Sequence, residues 1–527
     1  MAKIVSAEEA VRLVPDGATV LVVPMPSEEV YPAFHQRFSQ TGSPKDLTVI
    51  WSAGLGPFST ERRGMNHFAY PGMVKRYIAG HYGLNYEAVR MIAQEEVEAY
   101  NIPQGALCQL YREIAAGRDG LITRVGLGTF VDPRVEGGKL NQRTRACEDL
   151  VEVVQVNGTE LLRYKPFKPH IGLIRGTTAD PEGNITVEDE SMCMDNFEAA
   201  LAVANSGGIV IAQVERVSAQ PAHPHAVHIP GIFVHYLVVA TSRETHPHTL
   251  FTSHDPAFTG GARTDLDREF RPLPLNAEKV ICRRVAMELG SARRVNLGVG
   301  IPMSVAAVAQ EEGFRDRLAL NTEVGVLGGL PEGGKNFGPA KNPSAFMSQT
   351  AIFDFIDGGG LDLSCVGMAQ VDREGNVNVS KIGPRIIGCG GFINITQSTR
   401  NVIFCGEFTA GGARFEVQND ELRILSEGKV RKFVEAVEQI TFSGAVARRG
   451  AQKILFVTER CVFQLVPEGL LLTEIAPGIE LERDILGQMG FRPLIAAELK
   501  RMDARIFSAS PMNCDRAPHA PRPSEGI

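Results

Sequence analysis

Glu323 is the side chain whose surroundings best suit covalent chemistry. It follows an apolar run, 318–320, and precedes a turn that reads Val-Gly-Val-Leu-Gly-Gly over 324–329. A carboxylate between a buried strand and a turn is costly unless it is paired or used, and the glycines allow a substrate to approach the backbone. Two interpretations stay open at this point. Glu323 either caps a junction of strand and loop, or is a carboxylate nucleophile that forms a covalent intermediate.

Two more glycine-rich segments could lie against a ligand. Residues 295–302 predict a strand that runs into Gly-Val-Gly-Ile-Pro and then a helix, and N–H groups at such a turn can bind a phosphate or an oxyanion. The third glycine of a dinucleotide fingerprint is missing, so we exclude an NAD site of the Rossmann type. Residues 388–391, Gly-Cys-Gly-Gly, are either a close crossing of two backbones or a loop that faces a ligand.

Gln104 is the remaining candidate for catalysis. Pro103-Gln104-Gly105 opens a segment of helical periodicity, 106–116. An amide at that place can donate a hydrogen bond to a developing oxyanion. The alternative is an ordinary surface glutamine.

A metal site is not predicted. Six histidines occur in loops of the first half: His223, His225, His228, His246, His248 and His254. Their spacing fits no standard zinc set, and no cysteine lies near them in sequence.

The stretch 321–329, Asn-Thr-Glu-Val-Gly-Val-Leu-Gly-Gly, resembles the glutamate motif of the family I CoA-transferases, in particular the single-chain acetate/propionate type related to 3-oxoacid CoA-transferases. Similar motifs stand at 298–302, 388–391, 103–105 and 126–134, in the family's order. The resemblance covers roughly residues 5 to 500. Two stretches depart from the family pattern, Val22–Pro26 and Trp51–Gly54. Both fall on the expected acyl side, which leaves the carboxylic acid substrates open.

The resemblance implies a reaction and a set of residues. Glu323 would attack an acyl-CoA and become a glutamyl-CoA thioester, while Gln104 and the N–H groups near Gly298 and Gly300 would stabilise the oxyanions. Residues implied to bind CoA are Gly298, Val299, Gly300, Ile301, Pro302, Gly388, Gly390 and Gly391. CoA would be a substrate and a covalent intermediate, with no tightly bound cofactor. Alternatives are an acyl-CoA hydrolase on the same scaffold, a silent acyl-CoA-binding regulatory protein, and a lyase α-subunit.

The elements that must position these residues indicate an α/β fold. Strands and helices alternate at a pace typical of parallel βαβ units. Residues 180–187 match 372–379 in five of eight positions, and strand-like neighbours agree at the same offset of 192. We therefore predict an internal duplication: an N-terminal domain at 1–255, a linker at 256–276, a C-terminal domain at 277–507 that carries Glu323, and a disordered tail at 508–527. The active site is expected in the cleft between the domains.

Composition limits the class of protein. The chain has 527 residues, 44% of them hydrophobic, which suits two or three domains with sizeable cores. A net charge of −7 argues against nucleic acid as the main partner. The nine cysteines form no CxxC pair, and no apolar run approaches a membrane span. We expect a cytoplasmic enzyme, a homodimer or homotetramer, that acts on acyl-CoA and short-chain carboxylates without nucleic acid or membrane.

Overall fold

Two large β-sheets form the frame of the protein. The computed structural model describes residues 2–514, apart from the side chain of Glu269. Strands of the first sheet lie between residues 3 and 239, and strands of the second between 294 and 501. Helices alternate with the strands, which confirms the predicted α/β class. In the described part of the chain, no helix has both the length and the apolar character needed to cross a membrane.

The first sheet is parallel along its main path. Its strands lie side by side in the order Lys3–Ile4, Tyr236–Val239, Ile209–Val217, Ile171–Ala179, Thr19–Val22, Leu47–Trp51, Val74–Ala79, Glu98–Asn101. A short ninth strand, Ile185–Thr186, pairs antiparallel with Ile171–Ala179. The central strands are buried along almost their whole length, as parallel strands covered by helices on both faces should be.

The second sheet has a parallel centre and antiparallel flanks. Its order is Ala345–Phe346, Val326–Leu327, Ala319–Asn321, Arg294–Leu297, Leu363–Gly367, Asn401–Cys405, Lys453–Val457, Cys461–Val466, Gly469–Ile475, Leu494–Arg501. The strands from Ala319–Asn321 to Lys453–Val457 run parallel. The helices of the described chain are Ala7–Arg12, Val30–Thr41, Tyr86–Ala93, Gln104–Ala115, Gln142–Arg145, Asn196–Asn205, Leu266–Glu269, Ala277–Leu289, Val305–Glu311, Gln349–Asp357, Phe392–Ser398 and Gly444–Arg449.

The two sheets share a strand register. Gly172 pairs with Val210 in the first sheet, and Ser364 pairs with Val402 in the second, each position shifted by the 192 residues of the sequence repeat. The repeated turns agree as well. The Asp180 carboxylate accepts N–H bonds from the residues two and four places on, at 2.8 and 2.9 Å, and Asp372 does the same at 3.0 Å. These shared features support the predicted duplication, whereas the boundaries at 255, 277 and 507 stay predictions.

The predicted disordered tail is wrong for residues 508–514. Arg283, which is fully buried, donates from Nη1 to the carbonyl oxygen of Ser508 at 2.5 Å and from Nη2 to that of Ser510 at 3.0 Å. The N–H of Met512 donates to Glu312 at 2.7 Å. Although the segment lacks apolar periodicity, main-chain contacts with these two charged groups hold it in place. The rest of the predicted tail, 515–527, lies outside the described residues.

Candidate active site

Glu323 lies at the tip of a tight turn that follows a central strand. The strand Ala319–Asn321 ends two residues before it, and the chain returns antiparallel at Val326–Leu327. The N–H of Thr322 donates to the carbonyl oxygen of Val326 at 3.0 Å. Gly325 has φ +92°, and a Cβ there would lie 2.2 Å from the carbonyl oxygen of Met347. Glycine at 325 is therefore required for the turn that presents Glu323.

Glu323 as a whole residue is part-buried, so part of it reaches the surface of the site. Burial raises its pKa above the usual value, while a hydrogen bond from its own main-chain N–H opposes the shift. A carboxylate with reduced hydration is a stronger nucleophile than one in bulk water. The second interpretation of Glu323, a carboxylate placed for chemistry, therefore fits its surroundings.

The predicted turn at 298–302 lies next to the strand that leads to Glu323. Asn296 and Asn321 are opposite each other on adjacent parallel strands, and Asn296 Nδ2 donates to the Asn321 carbonyl oxygen at 3.1 Å. Gly300 has φ +85°, which only glycine adopts readily. The side chain of Val299 is 55% exposed, so the turn faces outward.

The expectation that the N–H of Gly298 stabilises an oxyanion is wrong. The N–H of Gly298 donates to the carbonyl oxygen of Cys365 at 2.8 Å, so it belongs to the sheet and is not available to a substrate. Sequence alone does not show this because the acceptor comes from a strand 67 residues further on.

A cavity of about 880 Å³ adjoins Gly300 and Ile301, and Arg271 and Arg315 also line it.

The loop 388–391 belongs to the second half and forms hydrogen bonds with the first. The N–H of Gly390 donates to the carbonyl oxygen of Gly80 at 2.8 Å, and the N–H of Cys389 donates to Asn101 Oδ1 at 2.8 Å. The N–H of Gly388 is also used, by the carbonyl oxygen of Ser380 at 3.0 Å. Because these three N–H groups are already bonded, a ligand would contact the Cα atoms of the glycines and not their N–H groups. Both interpretations of the loop, backbone crossing and ligand-facing surface, are compatible here.

Gln104 and Glu323 both lie beside this loop. A Cβ built on Gly391 would lie 3.5 Å from Cβ of Glu323, and a Cβ built on Gly390 would lie 3.6 Å from Oε1 of Gln104. Gln104 begins the helix Gln104–Ala115 and is 2% exposed, which rules out the surface interpretation. Within the described chain its Nε2 is buried without a hydrogen-bond partner. A buried N–H group in that state is an available donor.

Three neighbouring polar residues escaped the sequence analysis: His81, Asn101 and Asn394. Asn101 binds the loop 388–391, and Asn394 Oδ1 accepts the N–H of Gly105 at 3.2 Å. His81 and Asn101 stand at the carboxyl ends of adjacent parallel strands, Val74–Ala79 and Glu98–Asn101. Ligands of α/β sheets bind at that edge, and this rule could have singled out both residues.

The atypical stretch Val22–Pro26 is held by a buried ion pair. Arg175 donates from Nη1 to the carbonyl oxygen of Pro26, and its Nε lies 2.9 Å from Glu190. Burial acts against ionisation of Glu190, but Arg175 and His246 outweigh it and lower the pKa of Glu190 to about 2. The turn on the expected acyl side is therefore held by Arg175, which is itself held by its ion pair with Glu190.

A possible metal cluster in residues 2–514 is built of Asp189, His248 and His254. His248 uses both ring nitrogens: Nδ1 accepts the N–H of Asp255 at 3.1 Å, and Nε2 donates to the carbonyl oxygen of Asp189 at 3.0 Å. Asp189 also pairs with Arg243 at 2.5 Å. These bonds disfavour metal ligation, and the absence of a metal site stays a prediction.

Comparison with known proteins identifies the family of the chain. The family model for coenzyme A transferase matches residues 4–240. The chain is 46% identical over 518 residues to a caffeate CoA-transferase of Acetobacterium woodii, covering 96% of this chain and 98% of that one. It is 41% identical to the acetate CoA-transferase YdiF of Escherichia coli K12, covering 96% and 95%. The chain belongs to the coenzyme A transferase family, and it is an acyl-CoA:carboxylate CoA-transferase.

A solved structure shows the same fold. The chain matches the acyl-CoA transferase YdiF of Escherichia coli O157:H7 in a thioester complex with CoA, with a TM-score of 0.90 and 38% identity over 97% of each chain. More distantly it is 25% identical over 403 residues to human succinyl-CoA:3-ketoacid coenzyme A transferase 2, covering 72% of each chain. The resemblance identified in the sequence is thereby confirmed at the level of family, fold and enzyme class.

Proposed function

We propose that the enzyme transfers CoA between carboxylic acids by a ping-pong mechanism through a glutamyl-CoA thioester at Glu323. The observation that carries this proposal is the placement of Glu323 and Gln104 beside consecutive glycines, Gly391 and Gly390, at the contact of the two halves. Glu323 is part-buried, and the amide N–H group of Gln104 has no hydrogen-bond partner in the described structure.

The proposed steps need no proton transfer. Glu323 attacks the acyl-CoA carbonyl carbon, the C–S bond breaks, and an acyl-glutamyl anhydride and CoA thiolate result. The thiolate then attacks the glutamyl carbonyl carbon, which gives the Glu323–CoA thioester and releases the first acid as its carboxylate. A second carboxylate reverses both steps. Gln104 Nε2 would stabilise the tetrahedral oxyanions by on the order of 3 kcal/mol.

We propose that CoA lies along the turn 298–302 and in the cavity beside it. Gly300 and Ile301 line this cavity together with Arg271 and Arg315, whose positive charges suit the phosphates of CoA. The glycines of 388–391 would bound the path of the pantetheine arm close to Glu323. Binding energy from this remote part of the substrate can be used at the reacting carbon.

Short-chain carboxylates such as acetate and propionate are the proposed acids. The similarity to an acetate CoA-transferase supports them. The similarity to a caffeate CoA-transferase favours a second candidate, a hydroxycinnamate. Steady-state transfer from acetyl-CoA to a panel of both kinds of acid distinguishes the two.

We further propose two domains, 1–255 and 277–507, joined by 256–276, in a cytoplasmic homodimer or homotetramer. The separate sheets at 3–239 and 294–501 support the division. Light scattering after size-exclusion chromatography measures the number of subunits.

The test of the mechanism is intact-mass spectrometry with acetyl-CoA. Wild type should gain the mass of CoA less one water and lose it when an acceptor acid is added, whereas Glu323→Gln should gain nothing and transfer nothing. Glu288→Gln, on an exposed side chain of the helix Ala277–Leu289, is the control. CoA transfer by Glu323→Gln above a thousandth of the wild-type rate overturns the proposal. Steady CoA release without an acceptor would favour the hydrolase, and intact binding with no exchange in wild type would favour the silent binding protein.

A further inference from the structure

His81 lies at the same edge of the first sheet as Gln104. The strands Val74–Ala79 and Glu98–Asn101 are parallel neighbours, and Ala79 pairs with Asn101. His81 follows the first strand by two residues, and Gln104 follows the second by three. Both side chains therefore come from carboxyl ends of adjacent strands, where α/β sheets bind their ligands.

The backbone on both sides of His81 is held by hydrogen bonds. Its carbonyl oxygen accepts Trp51 Nε1 at 3.0 Å. The N–H groups of Tyr82 and Gly83 donate to the carbonyl oxygen of Ile387 at 2.8 and 2.9 Å. These bonds join His81 to the segment that leads into the loop 388–391, so the ring is preorganised relative to that loop.

The ring lies beside the same glycine as the Gln104 amide. A Cβ built on Gly390 would lie 3.7 Å from Cδ2 of His81 and 3.6 Å from Oε1 of Gln104. The next residue, Gly391, adjoins Glu323 in the same way, at 3.5 Å. The three side chains thus surround two consecutive residues of one loop.

Gly54 lies against Nδ1 of His81, where a side chain would cover that atom. A Cβ built on Gly54 would lie only 2.6 Å from His81 Nδ1, and the backbone of Gly54 does not itself require glycine, because its φ is outside the left-handed region. Across residues 2–514, Nδ1 of His81 is buried without a hydrogen-bond partner, as Nε2 of Gln104 is. Each of these unpartnered polar atoms is available to a polar atom of a ligand.

Burial favours the neutral form of the ring. Burial lowers the pKa of His81 to about 4. A neutral imidazole carries one N–H group, which can donate a hydrogen bond without adding a cation beside the nucleophilic carboxylate.

We propose that His81 is a second hydrogen-bonding side chain of the acyl site, whose ring donates from Nδ1 to the acyl oxygen as that oxygen becomes negative. This rests on the proposed transfer through Glu323. The ring keeps its proton throughout: the C–S bond of the thioester breaks, the new C–O bond forms to Glu323, and the electron pair passes to CoA thiolate. His81 acts beside Gln104, and the missing side chain at Gly54 leaves Nδ1 uncovered.

The test compares four variants in the full enzyme. His81→Leu should lower kcat about 10²-fold with KM for acetyl-CoA changed less than threefold, because the donor acts in the transition state. His81→Gln, which restores an uncharged N–H donor, should recover activity to within about tenfold of wild type. Gly54→Ala, which places a methyl group against Nδ1, should lose kcat as His81→Leu does. His225→Leu, on an exposed ring in a loop, is the control and should match wild type.

The outcomes separate this inference from the mechanism on which it rests. If wild type forms the CoA adduct and transfers CoA while His81→Leu or Gly54→Ala is as fast as wild type, the role of His81 is refuted and that of Glu323 stands. If wild type forms no adduct, the mechanism itself fails. Should His81→Leu not fold, Gly54→Ala and His81→Gln decide: a wild-type kcat for Gly54→Ala, or a 10²-fold loss for His81→Gln, overturns the proposal.

Discussion

The main-chain N–H of Gln104 donates a hydrogen bond of 2.9 Å to the carbonyl oxygen of Gly390. The donor belongs to the first half of the chain and the acceptor to the second. The neighbouring N–H, that of Gly105, donates to Asn394 Oδ1 at 3.2 Å. The first turn of the helix Gln104–Ala115 leaves N–H groups without helical partners, and here the second half accepts two of them. The position of Gln104 relative to Glu323 therefore depends on contacts between the halves.

Replacing Gln104 should slow the chemical step more than it weakens binding. Gln104→Leu keeps the main-chain hydrogen bond to Gly390 and removes only the amide, so we expect kcat to fall about 10²- to 10³-fold with little change in KM for acetyl-CoA. Steady-state kinetics measures both. Gln220→Leu, on an exposed residue, should behave as wild type. A large rise in KM at unchanged kcat would show that Gln104 binds substrate uniformly and does not act on the transition state.

A methyl group at position 105 should disturb the contact between the halves. A Cβ on Gly105 would lie 2.5 Å from both Asn394 Nδ2 and Phe353 Cδ1. Alanine normally favours a helix over glycine by roughly 0.5–1 kcal/mol, but overpacking costs about 1–3 kcal/mol, so Gly105→Ala should lower the free energy of unfolding. It should also slow transfer because Gln104 shifts. Calorimetry and kinetics check the two effects. Gly450→Ala, at an exposed helix end, is the matched control, and an unchanged Tm for Gly105→Ala would contradict the packing argument.

The sequence predicted a functional residue where the residues that position it are its neighbours in the chain. Glu323 is preceded by its own strand and followed by its own glycine turn, so the local pattern contains what positions it. The repeat predicted equivalent strands because a register shift would move every side chain to the other face of the sheet. The observed pairs Gly172–Val210 and Ser364–Val402 agree with that constraint.

Contacts between distant segments could not be predicted in the same way. The N–H of Gly298 looks free in the sequence, and its acceptor on Cys365 depends on which strands become neighbours. His81 has no motif around it. The contacts that make it a candidate are with Gly54 and Gly390, which are 27 residues before it and 309 after it. Residues 508–514 have a disordered composition but are held by Arg283, which no local pattern links to them.

Removing the carboxyl group of Glu323 should stabilise the fold at neutral pH. Because burial raises its pKa above 4.5, ionising Glu323 is less favourable in the folded state than in the unfolded chain. The resulting loss of stability is absent below pH 4.5, grows as pH rises toward the raised pKa of the folded state, and is constant above it. Glu323→Gln should therefore have a higher Tm than wild type at pH 7.5 and a similar Tm at pH 4.5. Calorimetry at both pH values measures this, and a lower Tm at pH 7.5 would refute it.

Asp195 should make the stability of the enzyme fall as pH rises toward 8. The side chain is fully buried, its Oδ2 accepts the Cys108 thiol at 3.5 Å, and within the described residues its Oδ1 has no partner. Burial is the main reason that its pKa is raised to about 7, with Glu198 adding to the shift and Ser52 opposing it. Since an unfolded aspartate ionises near pH 3.8, the folded state is penalised increasingly between pH 3.8 and 7 and fully above pH 7.

Asp195→Asn removes that penalty while its amide oxygen can still accept the Cys108 thiol. Its gain in Tm over wild type should be small at pH 5 and largest at pH 8, whereas Asp119→Asn, on an exposed residue, should show no such trend. Thermal unfolding at the two pH values provides the comparison. A gain that is equal at pH 5 and pH 8 would mean that Asp195 ionises in the fold as it does in the unfolded chain, and the unpartnered Oδ1 would then have to be hydrated.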